Sequence, residues 1–275
     1  MLTHWLRIES WAYWAVFVSA FMAVGVWESA RPRRKLSLPL QRRWTIHGLV
    51  LLISAAITTV AFRVTPVAVA FAISGSRFGL LNKSRLPFAA RWVVAVFLLD
   101  LTRYLVHRCL HSTRLWHVHQ VHHSDPDFDL TTGARVHPIE SLLLQGGTMV
   151  AILLLAPPVT AVLFAEFAHA VQTFFSHANT SLPPWLERSV RWVLVTPDLH
   201  RIHHSTDVPE QSANFGFLFA FWDRLFGTFL PEPAAGHDEM TVGCADCRDE
   251  RALNVRWMLL QPFRGLLVTA RRRSA

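Results

Sequence analysis

His107-Arg108-Cys109-Leu110-His111, His119-Gln120-Val121-His122-His123 and His200-Arg201-Ile202-His203-His204 are the three stretches around which the chain is organised. Their spacings are H-x3-H, H-x2-H-H and H-x2-H-H. A helix advances about 100° per residue, so His107 and His111 project within roughly 40° of each other. In each H-x2-H-H stretch the three imidazoles fall within an arc of about 100° on one helical face. Neutral imidazole is the commonest metal ligand and suits iron, zinc, copper and nickel. Eight imidazoles exceed the needs of one four-coordinate zinc site; they fit two metal ions with positions left open for oxygen or water. A lone histidine is usually a surface or hydrogen-bonded core residue. Three clusters, two with identical spacing, are hard to obtain that way.

Composition sets the environment. The chain has 275 residues, 52% hydrophobic and only 17% charged, with eleven Trp and nineteen Phe against two Tyr. A soluble globular chain carries about 25% charged residues, so this is an integral membrane protein by composition. The net charge of +8 comes with no nucleic-acid motif. Its basic residues lie between and after apolar runs, which points to anionic lipid rather than nucleic acid. Of the cysteines, Cys109 lies inside the first histidine stretch and Cys244 and Cys247 form a single C-x2-C. No second pair completes a zinc site, and all three are expected to be reduced thiols facing the cytosol. The N-terminus lacks the basic region and cleavage site of a secretory signal.

Apolar runs extend from Trp11 to Trp27, Ile46 to Ile73, Trp92 to Val106, Leu142 to Ala156 and Val159 to Phe175. The first is just long enough to cross a hydrocarbon core of about 30 Å. Arg63 and Pro66 interrupt the second, and Pro157-Pro158 makes the last two a helical hairpin. The expected fold is all-α: a membrane helical bundle of about four to five spans in hairpins, with a cytosolic helical cap carrying a histidine-rich di-metal site. Arg31, Arg33, Arg34, Lys35, Arg42 and Arg43 follow the first run, against Arg77, Lys83, Arg85 and Arg91 before the third. The larger basic loop is expected on the cytosolic side, which returns all three histidine stretches to that face.

Two polar stripes cross the apolar runs. Asp100, Arg103/Tyr104, His107 and His111 follow helical spacing, as do Glu166, His169, Thr173 and His177. Ionisable groups in a span are functional candidates because burying them is costly. Asp100 and Glu166 are therefore either carboxylates that orient metal-bound imidazoles or members of structural ion pairs, such as Asp100 with Arg103. His177, at the end of its span, is a reasonable extra ligand. His117 lies off the face of His119, and His4, His47 and His237 are expected at the surface or interface. Asn214 and Asp223, in an aromatic stretch, are expected to cap helices or line a pocket.

These stretches resemble the fatty acid hydroxylase superfamily, which includes sterol desaturases, C4-methyl sterol oxidases, sphingolipid hydroxylases and alkylglycerol monooxygenase. The resemblance rests on Asp100-x3-Tyr104-x2-His107-Arg108-x2-His111, then Leu115-Trp116-x2-His119-x2-His122-His123-Ser124. Arg135-x-His137-Pro138-x-Glu140, Phe175-x-His177-x-Asn179 and His200-x2-His203-His204 follow. Asn214-Phe215-Gly216 and Trp222-Asp223-Arg224-Leu225-Phe226-Gly227-Thr228 complete it. It covers about residues 93 to 230. It divides the chain into an N-terminal membrane region (1–91), a catalytic domain (92–230) and a C-terminal cytosolic tail (231–275).

The resemblance implies a membrane-bound di-iron oxidoreductase that uses O2 and external electrons to hydroxylate or desaturate a lipid such as a fatty acyl chain or sterol. It implies His107, His111, His119, His122, His123, His177, His200, His203 and His204 as ligands of two iron ions, with zinc a substitute in recombinant material. Asp100, Tyr104, His137, Glu140, Glu166, Asn179, Asn214 and Asp223 would stand behind them, and whether His137 binds directly stays open. Thr173 occupies the first position of a further H-x3-H pair found in several members. The chain is too short for a fused cytochrome b5 domain, so electrons are expected from a separate cytochrome b5- or ferredoxin-like protein. Iron fits the chemistry because it cycles through oxidation states, which zinc does not. Two other classes compete: a histidine-rich membrane metal transporter, whose ligands belong at mid-depth between spans, and a catalytically inert binding protein.

Overall fold

The computed structural model describes residues 2–263, with side chains from Trp11 onward; His4 lies outside the described side chains. The first ten helices are α1 (Leu2–Ala30), α2 (Leu40–Phe62), α3 (Pro66–Ile73), α4 (Leu80–Lys83), α5 (Phe88–Leu110), α6 (Trp116–His123), α7 (Pro138–Leu155), α8 (Val159–Ser176), α9 (Pro184–Val190) and α10 (Pro197–His203), and short helical turns follow at Val208–Gln211, Phe221–Leu225 and Gly236–Glu239. A 3-10 turn at Leu130–Ala134 lies between α6 and α7. No strand forms among the described residues; two isolated bridges join Leu194 to Phe219 and Ser205 to Val242.

Four stretches are long and apolar enough to cross a membrane: Trp11–Ala30, Leu40–Ile73, Pro138–Leu155 and Val159–Ser176. Their outward faces carry Trp11, Val18, Val26, Leu52, Val60, Val150, Leu154 and Phe164, all exposed. Such contiguous apolar surface belongs in hydrocarbon rather than water. The run Trp92–Val106 does form a helix, but α5 is not among the four. Asp100 and Arg103 lower its apolarity, and it packs between α7 and α8 as the inner helix of the bundle. Its 23 residues span about 34 Å.

Arg63 ends α2 in the left-handed region (φ 56°), its N–H bonded to Thr59 O. Pro66 then starts α3, capped by Thr65, whose hydroxyl accepts from Ala68 N. The second apolar run is thus a span plus a short helix. Val67 and Ala70 of α3 pack with Ile152, Leu155, Ala161 and Val162, closing the end of the bundle where α7 turns into α8.

At the opposite end five helix termini gather: the C-termini of α1, α5 and α8 and the N-termini of α2 and α7. Glu28 of α1 accepts from Leu130 N (2.9 Å) and Asn179 N (2.7 Å). His47 of α2 meets Thr131 Oγ1 (2.8 Å), and Ser54 donates to Val136 O (2.6 Å). Arg43, fully buried, joins Asp125 (2.7 Å) and Asp129. Burial would raise the Asp125 carboxyl, but Arg43 outweighs it and holds the group well below the usual carboxylate range. Arg135, also buried, reaches Ser124 Oγ, His47 Nε2 (3.1 Å) and Ala252 O (2.9 Å). His47 is therefore an interior residue of this network, not a surface one.

The segment after 230 packs onto this cap as far as it is described. Cys244, Cys247, Trp257 and Met258 form a cluster with Val50 and Val121. Cys244 and Cys247 are free thiols but buried, with the Gln120 amide donating to both sulfurs at 3.1 and 3.5 Å. Only Cys109 is exposed among the described cysteines. His237 is likewise buried, 3.4 Å from Glu232.

Candidate metal centre

The nine histidines singled out above converge at the cap end of the bundle, in two groups rather than at one point. His107, His111, His119, His123 and His203 form one; His122, His177, His200 and His204 form the other. Within each group the facing nitrogens lie within 4.8 Å of one another. The i,i+4 pair of α6, His119 and His123, enters the first group while His122 enters the second. In α10 the pattern reverses: His200 and its i+4 partner His204 enter the second and His203 the first. Helix α5 adds His107 and His111 to the first, and the end of α8 adds His177 to the second.

Local sequence explains why these elements stand where they do. Thr196 caps α10 by accepting from Leu199 N, and Pro197 occupies its first turn. His137 caps α7: its Nδ1 accepts from Ile139 N (3.1 Å) and its Nε2 faces Leu259 O (3.3 Å), so it points away from both groups. Gly133 allows the 3-10 turn to press on α8, since a Cβ there would meet Thr173 Cγ2 at 2.7 Å and His177 Nδ1 at 3.1 Å.

Tautomers follow from the outer hydrogen bonds. A carbonyl only accepts, so an imidazole nitrogen facing one carries the proton. His107 Nδ1 donates to Phe215 O (2.8 Å), His203 Nδ1 to Ala213 O (2.8 Å) and His177 Nδ1 to Thr173 O (2.7 Å). His119 Nδ1 faces Glu140 Oε1 at 2.9 Å. The Nε2 atoms of these rings therefore carry lone pairs. Yet His107 Nε2 lies 3.1 Å from His119 Nε2 and 3.0 Å from His203 Nε2, with no proton to share. His177 Nε2 lies 3.2 Å from His122 Nε2 and 3.0 Å from His200 Nε2, and the Nδ1 atoms of His122 and His200 are buried without a partner. His111 Nε2 and both nitrogens of His123 are buried without any partner. Converging lone pairs and orphaned buried nitrogens are what a cation at the centre of each group relieves. The donor set fits a metal.

Charge state agrees. Burial first, and neighbouring imidazoles second, hold His111, His119, His122, His123, His200 and His204 well below the ordinary imidazole range. Burial lowers His177 to about 4. The rings are neutral near pH 7, the form that binds metal.

Of the residues expected behind the histidines, Glu140 touches an imidazole directly. Asn214 and Asp223 act one step further out. Asp223 accepts from Phe215 N (2.7 Å), Gly216 N (2.8 Å) and Thr228 Oγ1 (2.7 Å). Asn214 (φ 54°) donates to Leu199 O and Leu230 O. Together they fix the 213–216 loop whose carbonyls hold His203 and His107. Tyr104 joins this loop through Thr228 Oγ1 (2.9 Å). Asn179 instead ties the α1–α2 loop to α8, bonding Arg34 N and O.

Asp100 and Glu166 reach none of the nine rings. Asp100 accepts from Leu218 N, Trp222 Nε1 (2.9 Å) and His169 Nε2 (3.1 Å); Arg103 pairs with Glu166 at 3.1 Å. Asp100 is not the partner of Arg103. His117, half-buried, belongs to neither group.

A cavity of about 260 Å³ runs from the histidines into the bundle. His107, His119, His122, His177 and His200 form its upper wall; Phe17, Leu51, Ala55, Leu144 and Phe174 line the apolar part. Arg103 and Gln145 are polar points in this wall. The Gln145 amide, inside an apolar span, makes no hydrogen bond among the described residues. Sequence inspection passed over it, although a lone amide in a span is a signal in its own right.

The family model described as fatty acid hydroxylase matches residues 92–228. An alkylglycerol monooxygenase of Xenopus tropicalis is 31% identical over 144 residues, covering 51% of this chain and 31% of that protein. The ornithine lipid hydroxylase OlsE of Rhizobium tropici is 28% identical over 157 residues, covering 57% and 46%. Sphinganine C4-monooxygenase 2 of Arabidopsis thaliana is 25% identical over 232 residues, covering 80% and 84%. The chain thus spans between about a third and a half of the length of the first two. No solved structure matches it.

Proposed function

The chain belongs to the fatty acid hydroxylase family through residues 92–228, and from that premise we propose that it is a di-iron monooxygenase acting on a lipid inside the bilayer. The observation that carries this reading is the pairing of two histidine groups with an apolar cavity that opens between spanning helices. When bound, the iron pair would supply oxygen activation, with the overall balance R–H + O2 + 2 e⁻ + 2 H⁺ → R–OH + H2O. Desaturation starts from the same hydrogen abstraction.

The chain's own residues bind, orient and exclude. His107, His111, His119, His123 and His203 would hold one ion, and His122, His177, His200 and His204 the other. Glu140 and the carbonyls of Ala213, Phe215 and Thr173 lock the rings with Nε2 inward. Phe17, Phe174 and Phe217 keep water from the cavity, and an acyl or sterol skeleton replaces it. The unpartnered Gln145 amide offers a hydrogen bond to an oxygen on the lipid, which would fix the chain's depth against the histidines. The catalytic unit is proposed to be 92–230, carried on the membrane region 1–91 and covered by the segment from 231.

Purified protein should hold two metal atoms per chain, iron in the active form. Zinc is an expected substitute, because the same imidazoles accept both ions. Metal analysis together with oxygen uptake on a lipid extract checks this. One atom per chain in a fully active sample contradicts it.

The cap end is proposed to face the cytosol, supported by the basic α1–α2 loop. Ser112, exposed just beyond α5, reports on it. In a Cys109→Ser background, Ser112→Cys should react with an impermeant maleimide only after cells are permeabilised. Labelling of intact cells reverses the orientation.

A further inference from the structure

A second cavity, of about 120 Å³, opens on the cap and shares no lining residue with the first. It lies between the α1–α2 loop and the segment around residue 240. Arg34, Lys35 and Arg248 bring three positive charges to it. Of its two acids, Asp127 is already engaged by Ser37 N, Ser37 Oγ and Leu38 N at 2.9–3.0 Å. Glu239 is the other. Arg34 Nη1 is buried without a partner, and Arg31 on the flanking loop and Arg42 in the first turn of α2 are exposed. The surface has an excess of positive charge.

Its inner wall is Phe128, 3% exposed. The ring stacks on His177 (centroids 5.8 Å, planes 25° apart) and lies 5.2 Å from His204 and 6.5 Å from His200. One aromatic ring therefore separates this basic cavity from three of the four imidazoles of the second group. The lipid cavity reaches the histidines from the bundle side; this one approaches from the cap.

We propose that this cavity is the docking point of an acidic one-electron carrier protein, with Phe128 the contact through which its electrons reach the four-histidine group. The proposal rests on the monooxygenase reading, whose balance takes two electrons from outside. The carrier gives them in two successive one-electron steps, each oxidising one carrier molecule, while the protons come from water. A small acidic surface suits the basic rim, and such complementarity sets on-rate and specificity more than raw affinity.

The test uses the full-length iron-loaded protein in detergent, with plant-type ferredoxin and cytochrome b5 as probes. Binding of each oxidised carrier is measured by titration, and oxidation of the reduced carrier by stopped flow. Dithionite serves as a small reductant that needs no docking. Lys35→Glu/Arg248→Glu should weaken carrier binding and slow carrier oxidation at least about tenfold, with dithionite reduction and iron content unchanged. About 0.5 M salt should do the same to the unaltered protein. Phe128→Leu should retain carrier binding but slow the electron step.

Equal binding and rates in the charge-reversed variant overturn the proposal, as does failure of both carriers to bind the unaltered protein. A variant that loses affinity only for phosphatidylglycerol vesicles makes the cavity a lipid contact instead. An unchanged rate in Phe128→Leu removes that ring from the path. Because binding is read without turnover, carrier docking with no lipid oxidation would sink the monooxygenase reading alone.

Discussion

His203→Ala should abolish oxygen-dependent lipid turnover and lower bound metal from two atoms per chain towards one, while His117→Ala leaves both intact. His203 is fully buried, its Nδ1 fixed by Ala213 O and its Nε2 3.0 Å from His107 Nε2. Removing it takes one donor from the five-membered group and leaves His107 Nε2 facing a void. His117, only two residues before His119, turns out of both groups and stays half-buried. Its loss alters local packing, an effect of about 0.5 kcal/mol for a position without special contacts. Elemental analysis of the two single variants decides the matter. Metal lost from the His117 variant and kept by the His203 variant would reverse the ligand assignment.

Arg43→Met should be the most destabilising single change in the cap. The guanidinium is fully buried and serves both Asp125 and Asp129, with Thr132 beside it. Methionine leaves two carboxylates enclosed without a counter-charge, which costs about 3–5 kcal/mol. Neutralising the acids in the same chain, as Arg43→Met/Asp125→Asn/Asp129→Asn, should recover much of the loss, because the penalty comes from stranded charge and not from missing attraction. Thermal unfolding in detergent reports both. A single variant as stable as the parent would mean that water reaches this network. Metal loading should fall with stability, since Asp125 lies two residues after His123.

How far the sequence carries depends on the range of each interaction. Helical spacing, a local property, exposes the three histidine stretches, the apolar spans and the break at Arg63. It cannot say that His122 parts from His119 and His123, because that division depends on where α5, α8 and α10 stand. Nor can it find the carbonyls of Ala213, Phe215 and Thr173, since a backbone oxygen has no signature in residue identity. His47 was expected at a surface because its partners, Thr131 and Arg135, lie more than eighty residues away. Separations of 69 and 63 residues likewise hid the pairing of Asp100 with His169 and of Arg103 with Glu166. Glu140 was visible only through its motif, and Gln145 only once the cavity around it was drawn.

The reach of these contacts also sets an order of events during synthesis. Glu28 waits for an amide 151 residues downstream, and His107 for a carbonyl 108 residues downstream. Contacts so distant in sequence form late, because the intervening loop must be closed before they reward it. His107, His111, His119, His122 and His123, of α5 and α6, are made well before Phe215 leaves the ribosome. A nascent chain therefore passes through a stage in which its spans are inserted while its histidines are unoriented and open to any metal in reach. The cap is the last part to mature, so the metals the cell offers at that moment would decide what the two histidine groups take up.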